Sequence, residues 1–220
     1  MTNTNLFGVY GAGGFGREVM PILSRFAAQS YPIGTWRTVF VDDAAAGDAN
    51  GQYSVMTLGE FAKAEAQSRE IVLAVGSGEL RQKLADKCTD TGVAIGALTA
   101  PNAMVLDNVT FGQGAVLCPF SMVTSDTVIG DLFQANIYAY VAHDCIVGDR
   151  VTLAPGAKVN GNVEIGDDVY VGTGALIRPG QPGNRLKIGA KAVIGMGAVV
   201  TSNVEPGAVV VGNPAKAMVR

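Results

Sequence analysis

The chain has 220 residues, is 48% hydrophobic, and sets 16 Lys and Arg against 19 Asp and Glu for a formal net charge of −3. That length holds one or two domains with ample apolar content for a core, and the slight acidity excludes the broad basic footprint of a nucleic-acid binder. The first residues carry no basic start and no apolar run long enough for a signal or membrane-spanning segment.

Residues 1–98 read as strands alternating with helices. Residues 6–10 (LFGVY) form a short apolar strand that runs into Gly11-Ala12-Gly13-Gly14-Phe15-Gly16. A helix is predicted over about 17–28, with Val19, Met20, Ile22, Leu23 and Phe26 on its apolar side. A second strand over 38–41 ends at Asp42-Asp43, and a helix near 58–67 follows. A third strand over 71–75 ends in Gly76-Ser77-Gly78, and a helix runs from 79 to about 91. This alternation predicts a small α/β unit on a parallel sheet, bounded near residues 98–101.

The spacing Gly11-x-Gly13-x-x-Gly16, after a strand and at a helix start, suits phosphate, because free N–H groups there favour anions. Arg17 adds charge. Asp42 and Asp43 lie where an acid accepts from a ribose hydroxyl or a base N–H; their alternative is a turn or capping pair. Gly76, Ser77 and Arg81, after the third strand, would close the same pocket. The plain reading of the glycine loop is a dinucleotide-binding oxidoreductase. A full six-stranded domain of that kind is not expected to fit into fewer than a hundred residues.

The second half obeys another rule. From Val105 to Ile177 a large apolar residue falls at every sixth position, with Ala135 the one small exception, and the beat resumes at Ile188, Ile194 and Val200. The fifth place of each hexad is compact (Ala115, Ala139, Ala157, Ala175), with Phe133 the bulky outlier. Neither a helix nor a flat strand has a period of six; a parallel β-helix of short coils does. Three hexads make one coil, so about five stacked coils are expected, at the interstrand spacing of ~4.8 Å. Residues 179–187 interrupt the beat, and their Pro and Gly content marks a protruding loop. Cys88, Cys118 and Cys145 lack metal-like spacing and read as reduced thiols of a cytoplasmic protein.

His143 is the one histidine, so the sequence carries no zinc-type set of imidazoles. It occupies the third place of the hexad Val141-Ala142-His143-Asp144-Cys145-Ile146, away from the inward first position. An imidazole titrating near neutral pH suits proton removal from an amine. Asp144 would orient it or raise its basicity, although neighbours on a strand point opposite ways and contact requires a bend. One coil on, Gly161 stacks beside His143. A glycine there lets a ligand approach the backbone, and its N–H suits an oxyanion.

Hexads such as Ile165-Gly166-Asp167-Asp168-Val169-Tyr170 and the ending Val211-Gly212-Asn213-Pro214-Ala215-Lys216 resemble those of the left-handed β-helix (hexapeptide) acyltransferases. With the Gly11-to-Gly16 loop, the Asp42-Asp43 strand end and the His143-Asp144 pair, the chain resembles the nucleotide-sugar N-acetyltransferases of the PglD/NeuD type. The resemblance implies a Rossmann-like nucleotide-sugar-binding domain over residues 1–98 and a left-handed β-helix acyltransferase domain over 99–220. It further implies that the glycine loop holds a sugar nucleotide's diphosphate and that Asp42 and Asp43 hold the nucleobase. His143 would be general base, Asn136 would contact the base or the sugar, and Gly161 would donate to the oxyanion. Phe15 stands where several members of the group carry histidine.

The implied donor is acetyl-CoA, with its pantetheine arm lying along the coils between subunits of a homotrimer. Small exposed residues (Gly172, Gly174, Gly195 and Gly197) would line that groove, Lys216 would meet a CoA phosphate, and the 179–187 loop would border it. The implied reaction acetylates the 4-amino group of a nucleotide-diphosphate amino sugar, without metal, nucleic acid or membrane. O-acetylation of a sugar or sialic acid, and a non-catalytic nucleotide-sugar-binding protein, are the alternatives.

Overall fold

The computed structural model describes residues 4–47 and 49–218. Contacts divide them into two units, one made of the described residues up to Gly76 with Leu80–Leu98, the other of Ser77–Glu79 with those from Thr99 onward.

In the first unit, β1 (Asn5–Tyr10), α1 (Gly14–Ser30), β2 (Trp36–Val41), β3 (Ala49–Asn50), β4 (Tyr53–Met56), α2 (Leu58–Lys63), β5 (Ser68–Leu73), α3 (Gly78–Asp90) and β6 (Ala94–Ile95) follow in chain order. They form one sheet in the order β3-β4-β2-β1-β5-β6, parallel except for the β3–β4 hairpin. The sheet reaches six strands only through β3 and β6, which have two residues each, and β3 runs antiparallel, so it is not a full six-stranded dinucleotide-binding domain. Tyr10 at the end of β1 lies level with Val41 and Leu73. The chain leaves β1 for β2 on one side and later reaches β5 on the other, which opens a crevice at the carboxyl ends of these strands. α1 begins three residues before its predicted start, since the glycine loop winds directly into its first turn. α2 stops at Lys63, short of the predicted residue 67: Ala64 turns extended and its carbonyl accepts from Arg69 Nε at 2.9 Å.

The second unit is a parallel β-helix with three faces. Strands stack 18 residues apart through the repeat, as in Val116–Leu117 on Gln134–Ala135 and Tyr140–Val141 on Lys158–Val159. The second face carries six strands from Met104–Val105 to Val199–Val200, one more coil than expected. The first face extends further at both ends, with Leu98–Thr99 and Val209–Val211. First and fifth hexad residues converge on the axis: Val141, Val159, Val171 and Ile177 are fully buried beside Ala139, Ala157 and Ala175. The 23-residue step from Ile165 to Ile188 absorbs the 179–187 insertion without loss of pairing.

A further regularity escaped the sequence reading. Every fourth hexad residue from Asn108 to Gly174 has φ between +56° and +70°, so the chain turns left-handed at each corner. Eight of those twelve residues are Asn, Asp or Gly, the types that accept this geometry most readily. Phe120, Leu132, Tyr138 and Arg150 are the exceptions. Phe120 and Tyr138, one coil apart, stack their exposed rings at 5.0 Å. Arg150 forks onto the Asp168 carboxylate through Nε at 2.8 Å and Nη2 at 3.2 Å.

All three cysteines are free and buried, and no helix among the described residues is long and apolar enough to cross a membrane.

The two departures from the volume pattern offset one another. Phe133 and Ala135 are both fully inside the same core, so a large fifth-place residue fills the room left by a small first-place one. Phe133→Ala should cost about 3–5 kcal/mol and Ala135→Leu about 1–3 kcal/mol by overpacking. Chemical denaturation of both single variants and the double variant should find the double variant more stable than the sum of the two losses.

Candidate active site

The His143–Asp144 pair depends on a corner. Asp144 has φ +57°, and this bend brings its carboxylate round to the preceding side chain, where Nδ1 of His143 lies 2.7 Å from Oδ2. A carboxylate only accepts, so Nδ1 is the donor, and in the neutral ring the lone pair then lies on Nε2. Both side chains stay open to solvent, at 61% and 50% exposure.

Gly161 lies directly against the imidazole. A Cβ added there would sit 2.6 Å from Cε1 of His143 and 2.7 Å from Nε2. The Asn162 N–H donates to the His143 carbonyl at 3.0 Å, which fixes the two coils in register. The Gly161 N–H donates to no acceptor among the described residues. Asn160, which the sequence reading passed over, is locked in place: Tyr140 Oη donates to its Oδ1 at 2.7 Å and its Nδ2 donates to Ile177 O at 2.7 Å. The Asn160 and His143 carbonyls both lie within reach of the Cys145 thiol, at 3.3 and 3.5 Å. Burial pushes that thiol up to about 11.

Asn136 is bonded to the backbone of the neighbouring coil. It is buried on a strand end of the first face, where its Nδ2 donates to Leu153 O at 3.2 Å. The four glycines expected along one exposed edge divide into two kinds. Gly174 and Gly197 are exposed left-handed corners with open space beside them. Gly172 is buried, and a Cβ there would press on the backbone of the next coil at 2.7 Å; a Cβ on Gly195 would meet Val211 at 2.6 Å. These two are glycine for packing between coils. Lys216 is exposed on the short antiparallel strand Lys216–Ala217.

In the first unit the glycine loop closes the end of β1. Gly11 has φ +106°, and a Cβ on Gly16 would run into the Gly11 carbonyl, so the fold itself requires these two. Gly13 and Gly14 have open space where a Cβ would go. Gly13 is the N-cap of α1 and offers no side-chain acceptor, and the first turn holds no acid, so its N–H groups remain available to an anion. Arg17 is exposed and lines a cavity of about 310 Å³ with Met20, Phe40, Gly51, Gln52 and Tyr53.

The two acids turn inward rather than standing free. Asp42 accepts from Ala12 N–H through Oδ2 and from Ala44 N–H through Oδ1, both at 3.0 Å, so it ties the glycine loop to the end of β2. Asp43 accepts from Leu58 N–H at 2.9 Å and Tyr10 Oη at 2.8 Å, with Lys87 Nζ at 3.4 Å. The Leu58 N–H foremost holds the Asp43 carboxyl below its usual range. Burial, aided by Asp43, raises the Tyr10 hydroxyl, and burial lifts the Cys88 thiol to about 12. Gly76 belongs to the first unit and Ser77 is grouped with the second. Arg81 is fully buried and donates from Nη1 to the Val75 carbonyl at 2.7 Å, which makes it a brace for the end of β5. Among the described residues no group of three or more His, Cys, Asp or Glu side chains is placed to hold a metal ion.

Residues 7–88 match the family model of the PglD N-terminal domain, and residues 126–161 match that of the bacterial transferase hexapeptide repeats. Over 110 residues the chain is 44% identical to the GDP-perosamine N-acetyltransferase of Escherichia coli O157:H7, a match spanning 50% of this chain and 49% of that relative. WeeI from Acinetobacter baumannii AYE is 44% identical with a TM-score of 0.93, covering 98% of this chain and 100% of that one. The acetyltransferase domain of PglB from Neisseria gonorrhoeae FA1090, solved in complex with acetyl coenzyme A, is 30% identical with a TM-score of 0.85, again over 98% and 100%.

Two glycine substitutions separate packing from chemistry. Gly161→Ala should displace the imidazole and lower turnover at least tenfold while the melting temperature changes little, as read by steady-state kinetics and calorimetry. Gly14→Ala, in the first turn of α1, should leave the melting temperature unchanged or raise it, since alanine favours a helix by about 1 kcal/mol. Its nucleotide affinity, measured by titration calorimetry, should fall at least tenfold.

Proposed function

The chain belongs to the PglD-type hexapeptide acyltransferases, and from that membership we propose that it transfers the acetyl group of acetyl-CoA to the 4-amino group of a nucleotide-diphosphate amino sugar. The single observation that carries the mechanism is the 2.7 Å bond between His143 Nδ1 and Asp144, which in the neutral ring puts the lone pair on Nε2, on an exposed edge. The sugar amine attacks the thioester carbonyl carbon and a C–N bond forms. Its proton passes to Nε2 of His143, while the carbonyl electrons move onto oxygen. The Gly161 N–H donates to that oxyanion, an interaction whose loss costs on the order of 3 kcal/mol in studied enzymes. The carbonyl then re-forms, the C–S bond breaks, and the imidazolium returns the proton to the departing thiolate. Asp144 holds the ring in one tautomer and stabilises its charged form.

The glycine loop holds the diphosphate of the sugar nucleotide, through the uncapped N–H groups at the start of α1 and the Arg17 charge. Because Asp42 and Asp43 are engaged with backbone and Tyr10, they act first by shaping that loop; Asp42 also reaches Ala12 inside it. The E. coli relative is named for GDP-perosamine, which favours a guanosine-linked sugar here. The working form is a homotrimer that binds CoA along the coils, a reading supported by exposed apolar residues on the prism such as Phe120, Val128, Tyr138 and Ile146. Free, buried thiols favour a reducing, cytoplasmic setting.

A panel of nucleotide-linked 4-amino sugars with acetyl-CoA, read by thiol release, tests the reaction, and GDP-perosamine should be among those consumed. His143→Ala should lower kcat by two orders of magnitude or more while trimer mass and ligand affinity persist. Full activity in that variant would remove the imidazole from the mechanism.

A further inference from the structure

The insertion in the repeat is built against the reacting corner. Residues 179–187 leave the coil immediately after the level of Gly161: the Gly180 N–H donates to the Gly161 carbonyl at 3.0 Å. Gln181 and Asn184 then exchange backbone bonds at 3.0 and 2.9 Å around Gly183, whose φ is +74°. The chain rejoins the stack through the Leu186 N–H, which donates to Asn162 O at 3.1 Å, and through the strand Leu186–Ile188 on Val163–Ile165. Arg185 thus enters beside Asn162. Its side chain passes that coil and donates from Nε to the carbonyl of Asp144 at 3.1 Å.

That contact uses only one of the guanidinium nitrogens. Nη1 and Nη2 of Arg185 have no partner among the described residues, and the side chain is half-buried, so its freedom is already restricted. A guanidinium anchored at Nε presents its remaining edge as a fixed fork, the geometry that grips phosphate in two parallel bonds. The neighbouring cation on the same loop is differently occupied: Lys187 Nζ lies 3.9 Å from Glu164 Oε2.

We propose that Arg185 binds a phosphate of a diphosphate-bearing substrate, and that the 179–187 insertion serves to hold it beside the His143–Asp144 corner. The inference rests on the acetyl-transfer reading above, in which both substrates, acetyl-CoA and the nucleotide sugar, carry a diphosphate. Charge-assisted bonds of this kind place the expected loss at about tenfold or more in affinity.

Equilibrium binding decides the matter without relying on turnover. Titration calorimetry of the intact protein with CoA, and separately with GDP-perosamine, compares the wild type with Arg185→Ala, Arg185→Lys and Lys187→Ala. Arg185→Ala should weaken one of the two ligands at least tenfold and leave the other within twofold, which names the source of the phosphate. Arg185→Lys should recover part of the loss, and Lys187→Ala should change neither affinity. Unchanged affinities in Arg185→Ala, or equal losses in Arg185→Ala and Lys187→Ala, would overturn the assignment. Binding of both ligands to a wild type that transfers no acetyl group would instead count against the reaction and leave the arginine assignment standing.

Discussion

The backbone of the β-helix enters the left-handed region once in every six residues, a region that resists L-amino acids by roughly 1–2 kcal/mol each. Corner geometry therefore sets the coil at 18 residues and decides which side chains become neighbours. His143 faces Gly161 because one full coil separates them, and His143 touches Asp144 because the latter is itself a corner residue. A one-residue slip in this register would turn the imidazole away from both. The tightly filled interior, with two inward residues per hexad, resists such slips.

Much of this was legible. The inward positions are read from the spacing of Val, Ile and Leu, since the first place of each hexad is apolar, and the glycine loop is read from its place between strand and helix. The corners were missed although Asn108, Asp126, Asn162 and Asp168 mark them in sequence, because Phe120, Leu132, Tyr138 and Arg150 interrupt that column. The sequence shows that pairing His143 with Asp144 requires a bend, whereas its cause, the left-handed corner at Asp144, is visible only in the structure. Gly172 and Gly195 could not be told from Gly174 and Gly197 by sequence, since closeness of the next coil and openness to solvent call for the same residue. Asn160 carried no signal, as its partners Tyr140 and Ile177 lie one coil away on either side.

The first unit teaches a related lesson about acids after a strand. Asp42 and Asp43 look equally suited to a ligand, yet each is turned onto the protein: Asp42 onto the amide of Ala12, Asp43 onto Tyr10 and the start of α2. A carboxylate that organises a binding loop and one that contacts the ligand have the same sequence signature. Space separates the glycines in the same way. Gly11 and Gly16 are explained by the fold, whereas Gly13 and Gly14 face an opening that no side chain of the unit fills.

Cys145 follows His143 by two residues. Its sulfur is buried beneath the Asn160 and His143 carbonyls and its proton is held up to about 11. Burial thus keeps the sulfur in its protonated, poorly nucleophilic form. A thiol held in that form is slow to exchange with disulfides, so the sulfur beside the His143–Asp144 pair serves packing rather than redox chemistry.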